Sequence, residues 1–422
     1  MNLLIHTQKT TWEGFTVGGA ETSLQLIAEQ LAARGHNITY LTETERGRLP
    51  RYRRYRKNGV EVHAIAAPDL PSKGFGPLLR ARSALADWYF DRAVERIVRR
   101  NRIDLVYTYH ELPSHYRILK LRERKKLSFK TVQRIGGLWW TNLLKQDPSL
   151  ASKLEYVFRH ADLLNPNTPG MIPLFEQAIE EFGLKVPKRE YAVQDIGVDL
   201  SRFPGVWTGG TGSKPSASSG KSASTTAATV SNPRQQIVMA SRLSTHQKRQ
   251  DLLVEAMAHL PEGHNVELLL IGEGPEREKL EHRAKELGLD NRVRFVPYMD
   301  QSGLWRVLCE CELYTHACDF EGLSSVLIEA MAMGVPVLAS DVVPLNDYIR
   351  DGENGFLVAN RPEAWASRIE ELLKDRNGRA RVSETARSSI QERFSADQGA
   401  AAYETLFEGL LGSPDGGNTS DK

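Results

Sequence analysis

Residues 320–341 have the sequence FEGLSSVLIEAMAMGVPVLASD. The apolar spacing predicts a loop carrying Glu321, a helix that begins near Ser324, and a buried strand after it. Unpaired backbone N–H groups at such a helix start attract an anion, and Gly322 allows the backbone to approach a ligand closely. Glu329, within the helix, can accept hydrogen bonds from a pair of ribose hydroxyls. The stretch therefore predicts a loop-to-helix ligand site in an α/β fold.

The rest of the chain alternates short apolar runs with helical patterns. The first series comprises NLLIHT, GGAETSLQLIAEQLAARG, NITYLTE, DLVYTYH, KTVQRI and ADLLNPN, and the second comprises QQIVMAS, HNVELLLIGEG, RVRFVPY, CELYTHA, VPVLASD and NGFLV. Strands that alternate with helices at this spacing predict parallel sheets covered by helices on both faces. Two series predict two doubly wound, Rossmann-like α/β domains, which suits a chain of 422 residues.

A segment dominated by Gly, Ser, Thr and Ala separates the two series at residues 204–234. Because it has no apolar period, it cannot bury enough surface to offset the entropy of ordering, and we predict a flexible linker or insertion. The domains then occupy residues 1–203 and 235–394. The last residues, SPDGGNTSDK at 413–422, are predicted to form a disordered tail.

The formal net charge is only +2, but the charge is divided unevenly. Residues 1–203 hold 32 Lys and Arg against 22 Asp and Glu, and the rest of the chain holds 23 against 31. Within residues 46–130 the ratio is 22 to 8 and includes RGRLPRYRRYRK and RILKLRERKK. Such a basic region favours an anionic partner, which could be a membrane surface, a phosphate-bearing acceptor or nucleic acid. The alternative is a set of solvated helix faces plus a loop.

The three cysteines, Cys309, Cys311 and Cys318, are too few for a disulfide framework and indicate a reducing compartment, the cytosol by default. Their spacing with His316 superficially resembles a zinc site. However, the first two end a helical stretch and the others lie at a strand exit, so we expect small buried thiols instead. The N-terminus lacks signal-peptide features and no apolar run could span a membrane, so any membrane contact is expected to be peripheral.

The opening segment resembles the E-x7-E region of glycosyltransferase family 4, also called group 1, whose members are retaining enzymes of GT-B fold that use nucleotide-sugars. Other family motifs occur in the expected order. They are GGAE at 18–21, VDLSRF at 198–203, ASRLSTHQKRQDLLVEA at 240–256, IGEGPERE at 271–278 and DYIRDGENGFLV at 347–358. The resemblance covers most of the chain and is most specific in the second domain.

The resemblance implies a GT-B architecture, with two Rossmann-like domains facing across a cleft and a last helix, residues 395–412, that returns to the first domain. The second domain would bind the donor. Arg242 and Lys248 would bind the diphosphate, and Glu329 the ribose. Glu321 would contact the sugar, with Gly18, Gly19, Gly272, Gly322, Leu323 and Ser324 completing the donor site.

The acceptor side departs from the family pattern. Many members carry a histidine directly after the strand that here reads KTVQRIGG, where this chain has Arg134 and two glycines. His110, at the end of DLVYTYH, is therefore a candidate catalytic replacement, with a structural hydrogen bond as the alternative. Trp139 and Trp140 cannot both face the core of a strand, so we expect one of them to line a cleft, stack on a sugar or meet a membrane, with plain packing as the alternative. Arg134, Trp139 and Trp140 are the candidate acceptor residues.

The function expected from these features is transfer of a sugar from a UDP- or GDP-sugar to a lipid-linked or surface-glycan acceptor at the cytoplasmic face of the membrane. Because no DxD-like pair of carboxylates lies near the donor motifs, we expect neither a metal nor another cofactor. Nucleic acid is not an expected partner. The alternatives are an NDP-sugar 2-epimerase on the same scaffold and a non-catalytic subunit that binds a glycan or a membrane.

Overall fold

The chain forms two compact units in the computed structural model. The first consists of Met1–Val198 with the C-terminal segment from Ala396, and the second of Asp199–Ser395. The structure describes residues 1–412 except for positions 16, 18, 45–50, 67–75, 110, 195–196, 204, 208–233, 245–246 and 262, and it describes only the backbone of 76–83, 111 and 201.

The first unit is built on a seven-stranded sheet with the order β3-β4-β2-β1-β5-β6-β7. All pairings are parallel except that of β3 with β4. The strands are β1 (Asn2–His6), β2 (Asn37–Glu43), β3 (Arg51–Lys57), β4 (Val60–Ala66), β5 (Leu105–Thr108), β6 (Lys130–Ile135) and β7 (Leu163–Pro166). Six helices follow in chain order, α1 (Gly19–Ala33), α2 (Gly76–Asn101), α3 (Tyr116–Lys125), α4 (Trp139–Gln146), α5 (Ala151–His160) and α6 (Met171–Glu181).

Helices cover both faces of this sheet. On one face α1 and the C-terminal helix (Ala396–Gly412) share a core that includes Leu24, Ile27, Leu31, Val132, Tyr403 and Phe407. On the other face α2 and α3 bury Val94, Ile97, Ile118 and Leu121. A third cluster joins α4, α5 and α6 around Trp140, Phe158 and Phe175. The C-terminal helix is therefore an integral part of the first unit.

The second unit has a six-stranded, fully parallel sheet with the order β10-β9-β8-β11-β12-β13. Its strands are β8 (Gln235–Ala240), β9 (Val266–Ile271), β10 (Val293–Val296), β11 (Leu313–His316), β12 (Val337–Ser340) and β13 (Phe356–Val358). Its helices are α7 (Gln250–His259), α8 (Arg277–Glu286), α9 (Gln301–Glu310), α10 (Ser325–Ala332), α11 (Pro362–Lys374) and α12 (Arg376–Arg393).

Both parallel sheets agree with the predicted α/β class, but the segment RYRRYRK differs from the expected helix faces and loop. It forms strand β3 at the edge of the first sheet, with all residues except Tyr55 exposed. Antiparallel pairing with β4 satisfies the backbone groups on the inner edge of the strand, while the alternation of long side chains suits a solvated strand. The charge pattern alone could not distinguish this strand from a solvated loop.

The predicted linker begins as part of the second unit. The backbone N–H of Trp207 donates to the carbonyl of Met333 at 2.9 Å, and its indole N–H donates to the carbonyl of Cys311 at 2.8 Å. Residues 208–233 and the predicted tail at 413–422 lie outside the described residues. Among the helices that the structure describes, none is both long and apolar enough to cross a membrane.

Candidate active site

The turn after β8 presents a free cation. Gln250, fully buried at the start of α7, donates from Nε2 to the Ser241 hydroxyl at 2.8 Å and to the Arg242 carbonyl at 2.7 Å, which fixes the turn. The side chain of Arg242 is exposed and makes no hydrogen bond or ion pair with any residue that the structure describes. Arg242 can therefore make a two-pronged contact with phosphate oxygens.

The glycines that leave β9 pack behind this turn. A Cβ added to Gly272, whose φ is +141°, would lie 2.1 Å from the carbonyl oxygen of Ser241. A Cβ added to Gly274 would lie equally close, 2.1 Å, to the carbonyl oxygen of Leu243. Close backbone packing alone accounts for both glycines. The predicted ligand contact of Gly272 is therefore not needed to explain why a glycine occurs at this position.

Lys248 meets Glu321 because the chain before α7 pairs with the loop after β11. Arg249 donates its backbone N–H to the Ala317 carbonyl and Asp319 donates to the Gln247 carbonyl, both at 3.0 Å. This places Lys248 Nζ in an ion pair with Glu321 Oε2. Only 17% of the Lys248 side chain is exposed, and burial lowers its pKa to about 8.

His316, at the end of β11, holds the same carboxylate. Its Nε2 lies 3.1 Å from Glu321 Oε2 and its Nδ1 lies 3.2 Å from the Tyr314 hydroxyl. Burial, together with the charge of Lys248, holds the pKa of His316 well below its usual range, so the ring is neutral. Both contacts are satisfied when Nε2–H donates to Glu321 and Nδ1 accepts from Tyr314. His316 thus orients Glu321, a role that the sequence did not suggest.

The loop from Glu321 leads directly into α10. The Gly322 N–H donates to Glu321 Oε1 at 3.1 Å, and the Ser324 hydroxyl caps the helix by accepting from the Leu327 N–H at 3.5 Å. Helix α10 begins at Ser325, so the predicted helix start is confirmed. Its N-terminus supplies positive potential beside the Lys248–Glu321 pair.

Glu329, on α10, is held by two side chains of α9. Gln301 Nε2 donates to Glu329 Oε1 at 2.8 Å and the Trp305 indole N–H donates to Oε2 at 2.7 Å. Burial raises the pKa of Glu329 to about 7, against the two hydrogen bonds, which lower it. Each carboxylate oxygen keeps a second lone pair with which it could accept from a ribose hydroxyl.

The predicted residues of the first unit are only partly described. Gly19 begins α1, whereas Gly18 and His110 lie outside the described residues. Trp139 and Trp140 do not lie in a strand: they begin α4. Trp140 is fully buried, with its ring centroid 5.5 Å from that of Phe158. This burial contradicts a direct acceptor contact by Trp140, while Trp139 is partly buried against the same cluster.

Arg134 is also buried, at the carboxyl end of β6. Its Nη1 donates to the Ser23 hydroxyl of α1 at 3.0 Å, and its guanidinium carbon lies 5.6 Å from the centroid of the Tyr109 ring. A Cβ on Gly136 would lie 2.6 Å from a ring carbon of Tyr109, so the glycine that stands near the family's histidine position is required by packing here.

The sequence matches two family models that together cover most of the chain. Residues 17–200 match the model described as Glycosyltransferase Family 4, and residues 226–389 match the model described as Glycosyl transferases group 1. The chain belongs to this glycosyltransferase family. The predicted membership is thereby confirmed, and the cluster around Lys248 and Glu321 lies within the second matched region.

Relatives of this glycosyltransferase include enzymes that build glycans. It is 29% identical over 258 residues to the lipopolysaccharide core biosynthesis glycosyltransferase LpsE of Rhizobium meliloti, a match that covers 61% of this chain and 66% of that relative. It is 23% identical over 404 residues to N-acetyl-alpha-D-glucosaminyl L-malate synthase of Bacillus anthracis, covering 94% of this chain and 95% of that enzyme. The match thus spans slightly less than two thirds of the first relative and nearly all of the second.

Solved structures support the predicted architecture. HepE of Anabaena in complex with UDP and glucose superimposes with a TM-score of 0.69 at 18% identity, covering 97% of this chain and all (100%) of that one. Sucrose-phosphate synthase of Thermosynechococcus elongatus gives a TM-score of 0.75 at 20% identity, covering 97% and 99%. These likenesses establish the fold, which is GT-B with two parallel-sheet domains.

One group of side chains in the described part of the enzyme could hold a metal ion, namely His36, Glu404 and Glu408. It lies in the first unit, and Glu404 already pairs with Arg34 at 2.8 Å and with His36 at 2.6 Å. Glu321, which is predicted to contact the donor, does not belong to this group. Metal independence stays a prediction.

Proposed function

We propose that this glycosyltransferase moves a sugar from a UDP- or GDP-sugar to a lipid-linked or surface-glycan acceptor, with retention at the anomeric carbon. The observation that carries the proposal is the cluster of Lys248, Glu321 and His316 beside the N-terminus of α10, with the free Arg242 on the connection that also bears Lys248. Two relatives lend support, because HepE was crystallised with UDP-glucose and the Rhizobium enzyme acts in lipopolysaccharide core biosynthesis.

In the proposed reaction the nucleoside diphosphate leaves with growing negative charge. Arg242 would pair with its phosphate oxygens, Lys248 would add a point charge and the α10 N-terminus would add its dipole. Lys248 is held by Glu321 and the α10 N-terminus by its Ser324 cap before the substrate binds, and groups held in this way stabilise a transition state most effectively. They supply the positive charge for which other enzymes use a metal, so we propose a metal-independent reaction.

Retention would follow from attack on the same face that the leaving group departs from. In this scheme the acceptor hydroxyl forms the new bond to the anomeric carbon, the bond to the phosphate oxygen breaks, and that phosphate takes the acceptor proton. Glu321 is held by Lys248 and His316, which favours a positioning and electrostatic role over nucleophilic attack. Glu329 would accept from the ribose hydroxyls.

The test is turnover of labelled UDP- and GDP-sugars by the purified full-length protein, with and without membrane extract as acceptor. We expect slow donor hydrolysis without acceptor, faster transfer with it, and loss of both in Arg242→Ala and Glu329→Ala. Lys279→Ala, an exposed substitution on α8, serves as the matched control. Absence of turnover together with unchanged nucleotide binding in both site variants would overturn the proposal. Isomerised donor in the absence of acceptor would instead indicate an epimerase.

We also propose a cytoplasmic location with peripheral binding to anionic membranes through β3. Arg51, Arg56 and Lys57 are exposed and have no ion pair with any residue in the described ranges, whereas Arg53 and Arg54 pair with carboxylates of their own unit. Replacing the three free cations with serine should weaken sedimentation with phosphatidylserine vesicles at low salt. A control that removes the same charge at Lys279, Arg294 and Arg350 should not. Equal binding of both variants would contradict this part of the proposal.

A further inference from the structure

Arg134 is a buried cation with no ion pair to any described residue. It is 1% exposed, and the single hydrogen bond of its side chain to a described residue runs from Nη1 to the Ser23 hydroxyl. The Nε–H is buried without an acceptor. Burial is the largest influence on the pKa of Arg134 and disfavours the charge, whereas Tyr107, Tyr403, Tyr109 and Glu21 favour it and leave the pKa raised. The ring centroid of Tyr109 lies 5.6 Å from the guanidinium carbon.

The burial of this charge, taken by itself, opposes folding. An arginine keeps its charge at any physiological pH, and a buried charge is costly unless an opposite charge or several hydrogen bonds satisfy it. Lys248, the comparable cation of the second unit, has Glu321 for this purpose. A fold that keeps Arg134 in this state gains nothing from it in the free protein, which points to a ligand as the missing partner.

The position of Arg134 suits a ligand. It is the penultimate residue of β6 in a largely parallel sheet and donates to Ser23, the fifth residue of α1. Ligands of such sheets bind at the carboxyl ends of the strands. The adjacent strand β7 continues into Asn167 and Thr168, whose Oδ1 and Oγ1 atoms are also buried with no hydrogen-bond partner. Three unsatisfied polar side chains therefore lie at the same edge of the sheet.

We propose that Arg134 binds an oxyanion of the substrate, a phosphate or a carboxylate, while Asn167 and Thr168 accept or donate hydrogen bonds to hydroxyls of the same ligand. This inference rests on the proposed transfer reaction and narrows its substrate class: the ligand of the first unit carries a negative charge. We assign the oxyanion to the acceptor, since the donor diphosphate is already assigned to Arg242 and Lys248 of the second unit.

The alternative role for Arg134 is structural, as a bridge between Ser23 and Tyr109. The two roles predict opposite effects of Arg134→Met, which removes the charge while keeping most of the volume. A structural bridge predicts a lower melting temperature. A cation held for a ligand predicts an unchanged or higher melting temperature together with loss of anion binding, because an apolar side chain in place of a buried, unsatisfied charge is often stabilising.

The experiment measures thermal unfolding of full-length protein with inorganic phosphate and, separately, with UDP. In the phosphate measurements every protein carries Arg242→Ala, so that phosphate binding at the turn after β8 does not contribute to the result. We expect Arg134→Met to weaken phosphate stabilisation at least about tenfold in apparent affinity, with Arg134→Lys intermediate and Arg159→Met, an exposed control on α5, without effect. A lower melting temperature with phosphate binding preserved would overturn the proposal.

The UDP measurement separates this proposal from the proposed function. Because the oxyanion is assigned to the acceptor, Arg134→Met in an otherwise unaltered chain should leave UDP affinity unchanged. A fall in UDP affinity by a similar factor would overturn the assignment to the acceptor. Failure of the unaltered protein to bind either UDP or GDP would count against the proposed function instead. This holds whether or not Arg134→Met weakens the stabilisation by phosphate.

Discussion

The two units of this enzyme handle a buried cation in opposite ways. Lys248 of the second unit is paired with Glu321, which His316 also holds, so its charge is balanced before any substrate binds. Arg134 of the first unit has one neutral hydrogen-bond acceptor among the described residues. Under the proposed function, the proposed donor site of the second unit is organised in advance, whereas the proposed acceptor site of the first unit is completed by its ligand.

The contrast between the two buried cations is tested most directly by replacing each of them in a separate variant. Lys248→Met leaves the Glu321 carboxylate buried without its counter-charge, which should lower the free energy of unfolding by about 3 kcal/mol. Arg134→Met should lower it little or raise it, because that charge has no partner to lose. Urea unfolding followed by circular dichroism measures both, with Lys279→Met as an exposed control. Equal losses for the two variants would contradict the comparison.

The second prediction concerns Glu329, whose pKa is raised from 4.5 to about 7 by burial. Because its pKa is higher in the folded state, Glu329 contributes most to the free energy of unfolding below pH 4.5. This contribution is lost as the pH rises to about 7. The full effect is about 3 kcal/mol at most. Glu329→Gln, which cannot ionise, should therefore gain stability relative to the unaltered protein as the pH is raised.

The measurement for Glu329 is the difference in unfolding free energy between Glu329→Gln and the unaltered protein at a series of pH values from 4 to 8. Other groups titrate identically in both proteins, so they cancel in the difference. A difference that stays constant across this range would show that Glu329 ionises normally.

The third prediction uses the lowered pKa of Lys248, about 8. As the pH rises through this value the lysine loses its proton and its attraction for phosphate, so UDP should bind about tenfold more weakly at pH 9 than at pH 7. Lys248→Arg, which stays charged, should remove this dependence. Calorimetric titration at several pH values tests it, and an identical pH profile in Lys248→Arg would assign the effect to another group.

The smallest effect is expected from the residue that orients Glu321. His316→Leu removes the donor to Glu321 Oε2 and should lower donor turnover severalfold, by about 1 kcal/mol in activation free energy. His316→Gln, whose amide can still donate, should recover part of the loss. If both variants are equally impaired while their melting temperatures match that of the unaltered protein, the hydrogen bond is not the cause.

The sequence predicted the local structure of the proposed donor site because the signals for it are local. The cap at Ser324, the apolar spacing of α10 and the run from Arg242 to Lys248 each lie within one strand-to-helix connection. The hydrogen bond from His316 to Glu321 was not predicted, since the sequence around His316 indicates only a buried strand. Gln301 and Trp305 were missed because nothing in α9 itself reveals that it packs beside Glu329.

On the acceptor side, sequence reasoning failed where tertiary packing decides. Trp140 reads as a candidate for sugar stacking, but three aromatic rings surround it in the core. The burial of Arg134 could not be predicted either, since arginines are among the residues most often exposed. Local spacing therefore identifies ligand-binding turns, while the environment of a single large side chain depends on elements distant in sequence.

The arginine-rich strand β3 also affects how the molecule behaves in a crowded solution. It is the outermost described strand of its sheet, so its outer backbone groups could template the addition of a strand from a second molecule. Closely spaced positive charges on such a strand repel an identical neighbour and so discourage aggregation. Neutralising Arg51, Arg56 and Lys57 to study vesicle binding would remove part of this protection, and light scattering of that variant would register self-association.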